Sequence, residues 1–163
     1  MPTTAYLHTG SNEGDRLRNL QTAVEWIEKR AGNCLLHSAI YETAAWGIED
    51  QPDFLNQALA ISTDRPPFEL LDVLLGVEKD MGRQRRVKWG QRLIDIDLLF
   101  YGSIRIHTER LKIPHPFLHQ RNFMLQPLVE IAPDLYHPQL RLSIRELAAQ
   151  SEDELPASVY AKN

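Results

Sequence analysis

Residues 89–102 read WGQRLIDIDLLFYG, and from Leu93 to Tyr101 this run is apolar except at Asp95 and Asp97. Its length and its isoleucines suit a core strand, in which side chains alternate between two faces. Ile94, Ile96, Leu98 and Phe100 then form one apolar face, while Leu93, Asp95, Asp97 and Leu99 form the other. Both carboxylates point the same way, with Cα atoms about 6.6 Å apart at roughly 3.3 Å per residue. Two like charges on a largely apolar surface repel unless a cation lies between them. Magnesium suits the position, because it takes oxygen ligands and is held by one or two carboxylates together with substrate phosphates and water. The competing reading is that the aspartates accept bonds from neighbouring arginines and only hold a loop.

Immediately upstream, residues 82–92 read GRQRRVKWGQR, with Arg83, Arg85, Arg86, Lys88 and Arg92 and no acid. The whole chain carries a net charge of −4, so this is a local cationic patch on an acidic protein. It suits a compact anionic ligand, with a solvated arginine-rich loop as the plain alternative. Carboxylates for a metal next to arginines for phosphate are the ingredients of phosphoryl transfer, which works mostly by positioning and electrostatics.

Further out, the periodicities order the remaining elements. Residues 5–10 form a short strand that Gly10-Ser11-Asn12 ends, and Leu17, Leu20, Val24 and Ile27 mark a helix over 15–30. Residues 34–41 predict a strand, then an irregular loop, then a strand over 54–62. Pro66-Pro67 opens a helix with Leu70, Leu71, Leu74 and Val77 on one face. With the strand at 93–101 the order is strand, helix, strand, strand, helix, strand, which is the split βαβ pattern of ferredoxin-like folds. Beyond it lie a proline-containing loop (IPHPFLHQRNF), a short helix stopped by Pro133, another over SIRELAAQ, and a polar tail from about 151, expected to be loosely held.

The 163 residues, 43% hydrophobic and 25% charged, predict one globular domain over 1–163. Cys34 is the only cysteine, so no intrachain disulfide forms. No apolar run approaches the roughly 20 residues of a membrane helix, and the N-terminus lacks a signal-peptide pattern. A reducing cytoplasm, no membrane and no nucleic-acid partner are the expectations. No lysine is followed by Ser or Thr, so there is no G-x-x-x-x-G-K-[ST] loop, and the protein-kinase motifs are missing.

YLHTGSN (6–12), DQPDFLNQA (50–58), the W-G-x-R-x-x-D-x-D-L-L stretch at 89–99 and IPHPFLHQRNFMLQPLVEIAP (113–133) together resemble the 6-hydroxymethyl-7,8-dihydropterin pyrophosphokinases of folate biosynthesis. The resemblance covers nearly the whole chain. It implies an α+β protein with a ferredoxin-like βαββαβ core in a three-layer α/β/α arrangement and a mainly antiparallel sheet. It implies transfer of pyrophosphate from ATP to the hydroxymethyl oxygen of the pterin, with AMP leaving. Two magnesium ions bound by Asp95 and Asp97 are expected, with ATP and the pterin as small-molecule substrates of a monomer.

Residue by residue, the resemblance matches Arg83 and Arg85 to the arginines of the family's mobile catalytic loop, and Trp89 to a tryptophan that closes over the site. It matches Arg92, Arg110, His115 and Arg121 to nucleotide contacts and Leu98 to a wall of the adenine pocket. Phe54 and Phe123 match the aromatics that sandwich the pterin, while Asn56 and the backbone near Thr43 match its polar contacts. Stacking on aromatics and edge reading by a buried amide suit a flat heteroaromatic. Without the resemblance, Phe54 reads as core and His115 as a turn residue. Gln91, Ala44, Ala45, Leu75 and Pro116 depart from the family's pattern in loops and near the nucleotide, and His8 is unusual in the first strand. A catalytically inactive relative, or an RNA-binding module sharing the strand order, are the alternatives. The second lacks aromatics, since FLNQALAIS carries a single one.

Overall fold

The computed structural model describes residues 1–44, 51–82 and 93–160. In chain order these form β1 (Thr3–Ser11), α1 (Arg16–Arg30), β2 (Asn33–His37), β3 (Tyr41–Thr43), β4 (Phe54–Thr63), α2 (Pro67–Asp80) and β5 (Asp95–Tyr101). After them come β6 (Ile106–His107), β7 (Lys112–Ile113), α3 (Asn122–Ile131), β8 (Tyr136–His137), β9 (Leu142–Ser143), α4 (Ile144–Gln150) and β10 (Ala157–Val159). The main sheet runs β10-β3-β4-β1-β5, with β2 also on β4, and its pairings are antiparallel.

The helices form where the sequence places their caps and apolar stripes. Asp15 accepts a hydrogen bond from the Arg18 N–H at the start of α1, and Lys29 and Arg30 favour the negative end of its dipole. Leu20, Ala23 and Ile27 are its buried stripe. Pro67 opens α2, where its missing N–H costs nothing, and Leu70, Leu74 and Val77 face the sheet. Ser143 and Glu146 form a reciprocal capping box on α4.

Two apolar clusters cover the sheet. Leu7, Leu59, Ile61, Ile94, Ile96 and Leu98 pack with α1 and α2, while Ala58, Leu99 and Phe100 pack with α3 and α4. Each fully buried Leu, Ile or Phe contributes about 1.5–3 kcal/mol relative to exposure. No helix of the described residues is long and apolar enough to cross a membrane.

Three expectations about the strands are corrected, and a fourth about the tail. The strand expected over 34–41 is two strands on the same edge of β4: β2 pairs with residues 59–62 and β3 with 54–56. Between them Ser38 leaves the ladder geometry, its hydroxyl accepting from the Ala58 N–H while its own N–H reaches the Ala58 carbonyl. Next, β1 does not end at Gly10, since Gly10 and Ser11 continue the pairing with β4.

The third correction concerns Phe100. Tyr6 and Leu7 are adjacent in β1 but oppose Phe100 and Leu98, so Leu99 is an extra residue that bulges and reverses the alternation. Phe100 therefore joins the α3 and α4 cluster, with its ring edge-on to Tyr6 and to His137. The aspartates precede the bulge and keep their common face.

The tail from 151, expected to be loose, is tied down. β10 pairs with β3, the Tyr160 N–H donates to the Ile40 carbonyl, and Asn122 binds Asp153 and Leu155.

Candidate active site

The strand register assembles the site. Asn56 of β4 opposes Gly10 of β1, and Gly10 opposes Asp95 of β5, so the three share one row and one face. Asn56 and Asp95 thus stand two strand spacings, about 10 Å, apart with a glycine between them. In the next row Ala58, His8 and Asp97 are opposed in the same way. Phe54, two residues before Asn56, opposes Thr43 of β3.

Gly10 leaves a floor that another residue would fill. A Cβ there would lie 3.2 Å from Asn56 Oδ1, 3.5 Å from His8 Cε1 and 3.6 Å from the Phe54 ring. Those three side chains therefore gather closely around the bare Gly10 backbone, the candidate slot of this face. Asn56 is 1% exposed, and its amide donates to Thr43 Oγ1 at 2.8 Å, which fixes which way the amide presents its oxygen. The wall on the Phe54 side is held from β1 and α1: Asn12 donates to the Pro52 carbonyl and to Gln51, and Arg16 donates to the Asp53 carbonyl and to Glu42.

Phe123 stands against His8 on the same face of the sheet. It stands in the first turn of α3, its ring 5.3 Å from that of His8 and inclined at 66°. The α3 N-terminus has no cap from Arg121. Instead Asp153 in the tail accepts from the Asn122 N–H, an anion at the positive end of the helix dipole.

Asp95 and Asp97 are half-buried. The strand that carries them is fixed from α2, where Glu78, 5% exposed, accepts the Ile96 N–H at 2.6 Å. This acid holds the backbone between the two aspartates and was not anticipated. Its signal was a charge four residues after Leu74 on the apolar stripe of a helix, where a buried carboxylate must find donors. Gly10 was anticipated only as a turn residue.

His115 lies beside β5, its N–H donating to the Leu99 carbonyl, and its Nδ1 accepts from the Phe117 N–H. Burial pushes its pKa below the usual histidine value, Asp97 opposes that shift and His8 adds to it. The His115 loop also lines a basic cavity of about 670 Å3 with Arg105, His107, Lys112, His119 and His137. Neither the aspartates nor the slot residues line that cavity.

The structure thus brings together Thr43, Phe54, Asn56, Asp95, Asp97 and Phe123, with His115 at the margin. Arg121 precedes α3 with its guanidinium 5.7 Å from the Phe117 ring. Arg110 is elsewhere, paired with Asp72 of α2 and over the Phe68 ring. Leu98, 5% exposed, belongs to the α1 and α2 cluster and not to the aspartate face. Arg83, Arg85, Trp89 and Arg92 lie outside the described residues.

As a metal site, the pair offers hard oxygen donors on one face. Among the described residues no group of three or more His, Cys, Asp or Glu is arranged to hold a metal alone.

Comparison with known proteins completes the description. A family model, 7,8-dihydro-6-hydroxymethylpterin-pyrophosphokinase, matches residues 6–133. The 2-amino-4-hydroxy-6-hydroxymethyldihydropteridine pyrophosphokinase of Aquifex aeolicus is 44% identical over 91% of this chain and 92% of its own. That of Methylorubrum extorquens is 48% identical over 82% and 85%. Among solved structures, the wild-type HPPK-DHPS of Plasmodium falciparum superposes with a TM-score of 0.76 at 18% identity. It covers 92% of this chain, which in turn spans 45% of that longer one, and the likeness concerns the fold.

Proposed function

This chain belongs to the 7,8-dihydro-6-hydroxymethylpterin-pyrophosphokinase family, and from that membership we infer how its residues divide the work. The reaction is pyrophosphoryl transfer from ATP to 6-hydroxymethyl-7,8-dihydropterin in folate synthesis. The alcohol oxygen bonds to the β-phosphorus, the bond from that phosphorus to the α,β-bridging oxygen breaks, AMP leaves, and the alcohol proton passes to solvent.

In the proposal, the pterin stands in the slot over Gly10 between Phe54 and Phe123, its donor and acceptor edge read by Asn56 and the chain at Thr43. The observation that carries this is the single row Asn56, Gly10, Asp95. A bicyclic ring anchored at Asn56 reaches across the glycine and delivers its substituent to the aspartates. Asp95 and Asp97 would hold magnesium, two ions in the family's pattern. When bound, magnesium neutralises phosphate charge and orients the transferred group. Holding both reactants in line replaces a collision by a positioned encounter, the main source of rate in such transfers.

Arg110 and Leu98 lie on the α2 side of the sheet and His115 and Arg121 near α3. A nucleotide that touches both groups would wrap the outer edge of β5, the terminal strand of the sheet. Phosphate contacts by Arg83, Arg85 and Arg92 and closure by Trp89 complete the reading from the motif alone.

The ferredoxin-like, three-layer description belongs to the same proposal. The position of β1 between β4 and β5 and the two helix-covered clusters support it. A cytoplasmic monomer is also proposed; the lone Cys34 suits a reducing compartment.

Incubation with ATP, magnesium and the reduced hydroxymethylpterin, followed by separation of the nucleotides, tests the function. AMP with a pterin diphosphate is expected. ADP as the main nucleotide would make the protein a simple kinase and end the assignment.

A further inference from the structure

His8 is a buried histidine that the structure leaves unsatisfied. It is 3% exposed, and among the described residues neither Nδ1 nor Nε2 has a hydrogen-bond partner. His137, equally buried, accepts through Nδ1 from the Gln139 and Leu140 N–H groups. Asp97 Oδ2 is 3.6 Å from His8 Nδ1, beyond hydrogen-bond reach. Buried polar atoms normally find partners, and one that does not asks for a ligand or a function. As a filler beneath Phe123, an apolar side chain of the same size would serve better.

The surroundings say what ligand. His8 opposes Asp97 in the sheet, its Cε1 rims the Gly10 floor, and its ring meets Phe123. A pterin anchored at Asn56 and lying across Gly10 ends beside His8 and the aspartates, and what stands at that end is its hydroxymethyl group. We propose that His8 is a substrate-binding and specificity-determining residue whose imidazole hydrogen-bonds the hydroxymethyl oxygen of the pterin. The chemistry matches: an alcohol donates once and accepts twice, and an imidazole offers a donor on one nitrogen and an acceptor on the other. A site built to bond a substrate hydroxyl rejects the analogue without it, because its own polar group is then left unpaired. This rests on the slot assignment above.

The test is a comparison of 6-hydroxymethylpterin with 6-methylpterin, the same ring without the oxygen. Both are titrated calorimetrically into wild type, His8→Leu and His8→Gln, with magnesium and a non-hydrolysable ATP analogue present. Wild type should prefer the alcohol by roughly tenfold, the worth of one such bond. His8→Leu should bind the two pterins alike, with its affinity for 6-methylpterin unchanged. His8→Gln, which keeps a donor and an acceptor, should restore part of the preference. Melting of ligand-free His8→Leu at or above wild type would show that the loss is not misfolding. A preference that survives in His8→Leu, or a fall of both affinities by the same factor, overturns the proposal. Wild type that binds neither pterin would instead remove the slot assignment, and this inference with it.

Discussion

Asp97 opposes His8 across two strands, and its charge reaches His115, whose ring burial has made less basic. Replacing Asp97 with Asn takes away that support, so the His115 midpoint should fall further, as an NMR titration of its ring would read. The same substitution should cost at least about 100-fold in kcat, as loss of one preorganised charge contact does. Retained turnover would show that Asp97 is a structural acceptor. His115 and His137 also set an acid limit on the fold. Burial is the first cause that lowers both below the ordinary 6.5, with His119 and Arg105 adding to it at His137. Between 6.5 and those lowered values the unfolded chain binds more protons than the folded one. Stability is therefore complete above about pH 6.5 and is lost as pH falls through the folded values. His137→Asn keeps an acceptor for the Gln139 and Leu140 N–H groups and removes one titration. The melting temperature should then fall less steeply from pH 6.5 to about 5 than in wild type; an equal slope would rule out His137 as a source.

Glu78 shows how an element far from the ligand sets the site, because α2 holds β5 by the backbone between the two aspartates. Glu78→Leu strands the Ile96 N–H and should cost about 1–3 kcal/mol, several degrees of melting temperature, while Glu78→Gln should recover much of it. If magnesium affinity, measured calorimetrically with ATP analogue, is unchanged in Glu78→Leu, the contact holds the strand without serving the site. This contact was legible only as an oddity, a charge on an apolar helical stripe. The aspartates' common face, by contrast, followed from alternation, which depends only on the strand that carries it. Phe100 lies beyond the reach of that rule because the bulge at Leu99 is fixed by pairing with β1. The split into β2 and β3 likewise depends on Ser38 meeting Ala58 across the sheet. Gly10 looked like punctuation, since nothing in a sequence says which side chains will close around a missing Cβ. The short hairpins β6–β7 and β8–β9 have two-residue strands, below the length at which periodicity carries information.

At the scale of the molecule, the C-terminal segment reaches both walls of the slot. On one side β10 covers the outer edge of β3, with Ala157 opposite Thr43, the residue that holds the Asn56 amide. On the other, the Asp153 carboxylate and the carbonyls of Asp153 and Leu155 bind Asn122, the residue before Phe123. Arg16, which ties β3 to the start of β4, also lies 5.8 Å from the Tyr160 ring. Among the described residues, β1 and β5, which carry Gly10 and the aspartates, make no strand pairing with this segment. Truncation after Gln150 should therefore separate two affinities that a general loosening would lower together. With the protein still folded by circular dichroism, the pterin should bind at least about tenfold more weakly, because the anchoring amide and one stacking ring each lose an ordering contact. Magnesium–ATP analogue should bind within about twofold of wild type, a difference of about 0.4 kcal/mol. The single change Asp153→Asn should reproduce part of the pterin loss through α3 alone, since it weakens the anion at the helix N-terminus and leaves β10 in place. Pterin affinity unchanged by the truncation would mean that β3 and α3 hold the slot by their packing on β4, and that the tail only covers an edge.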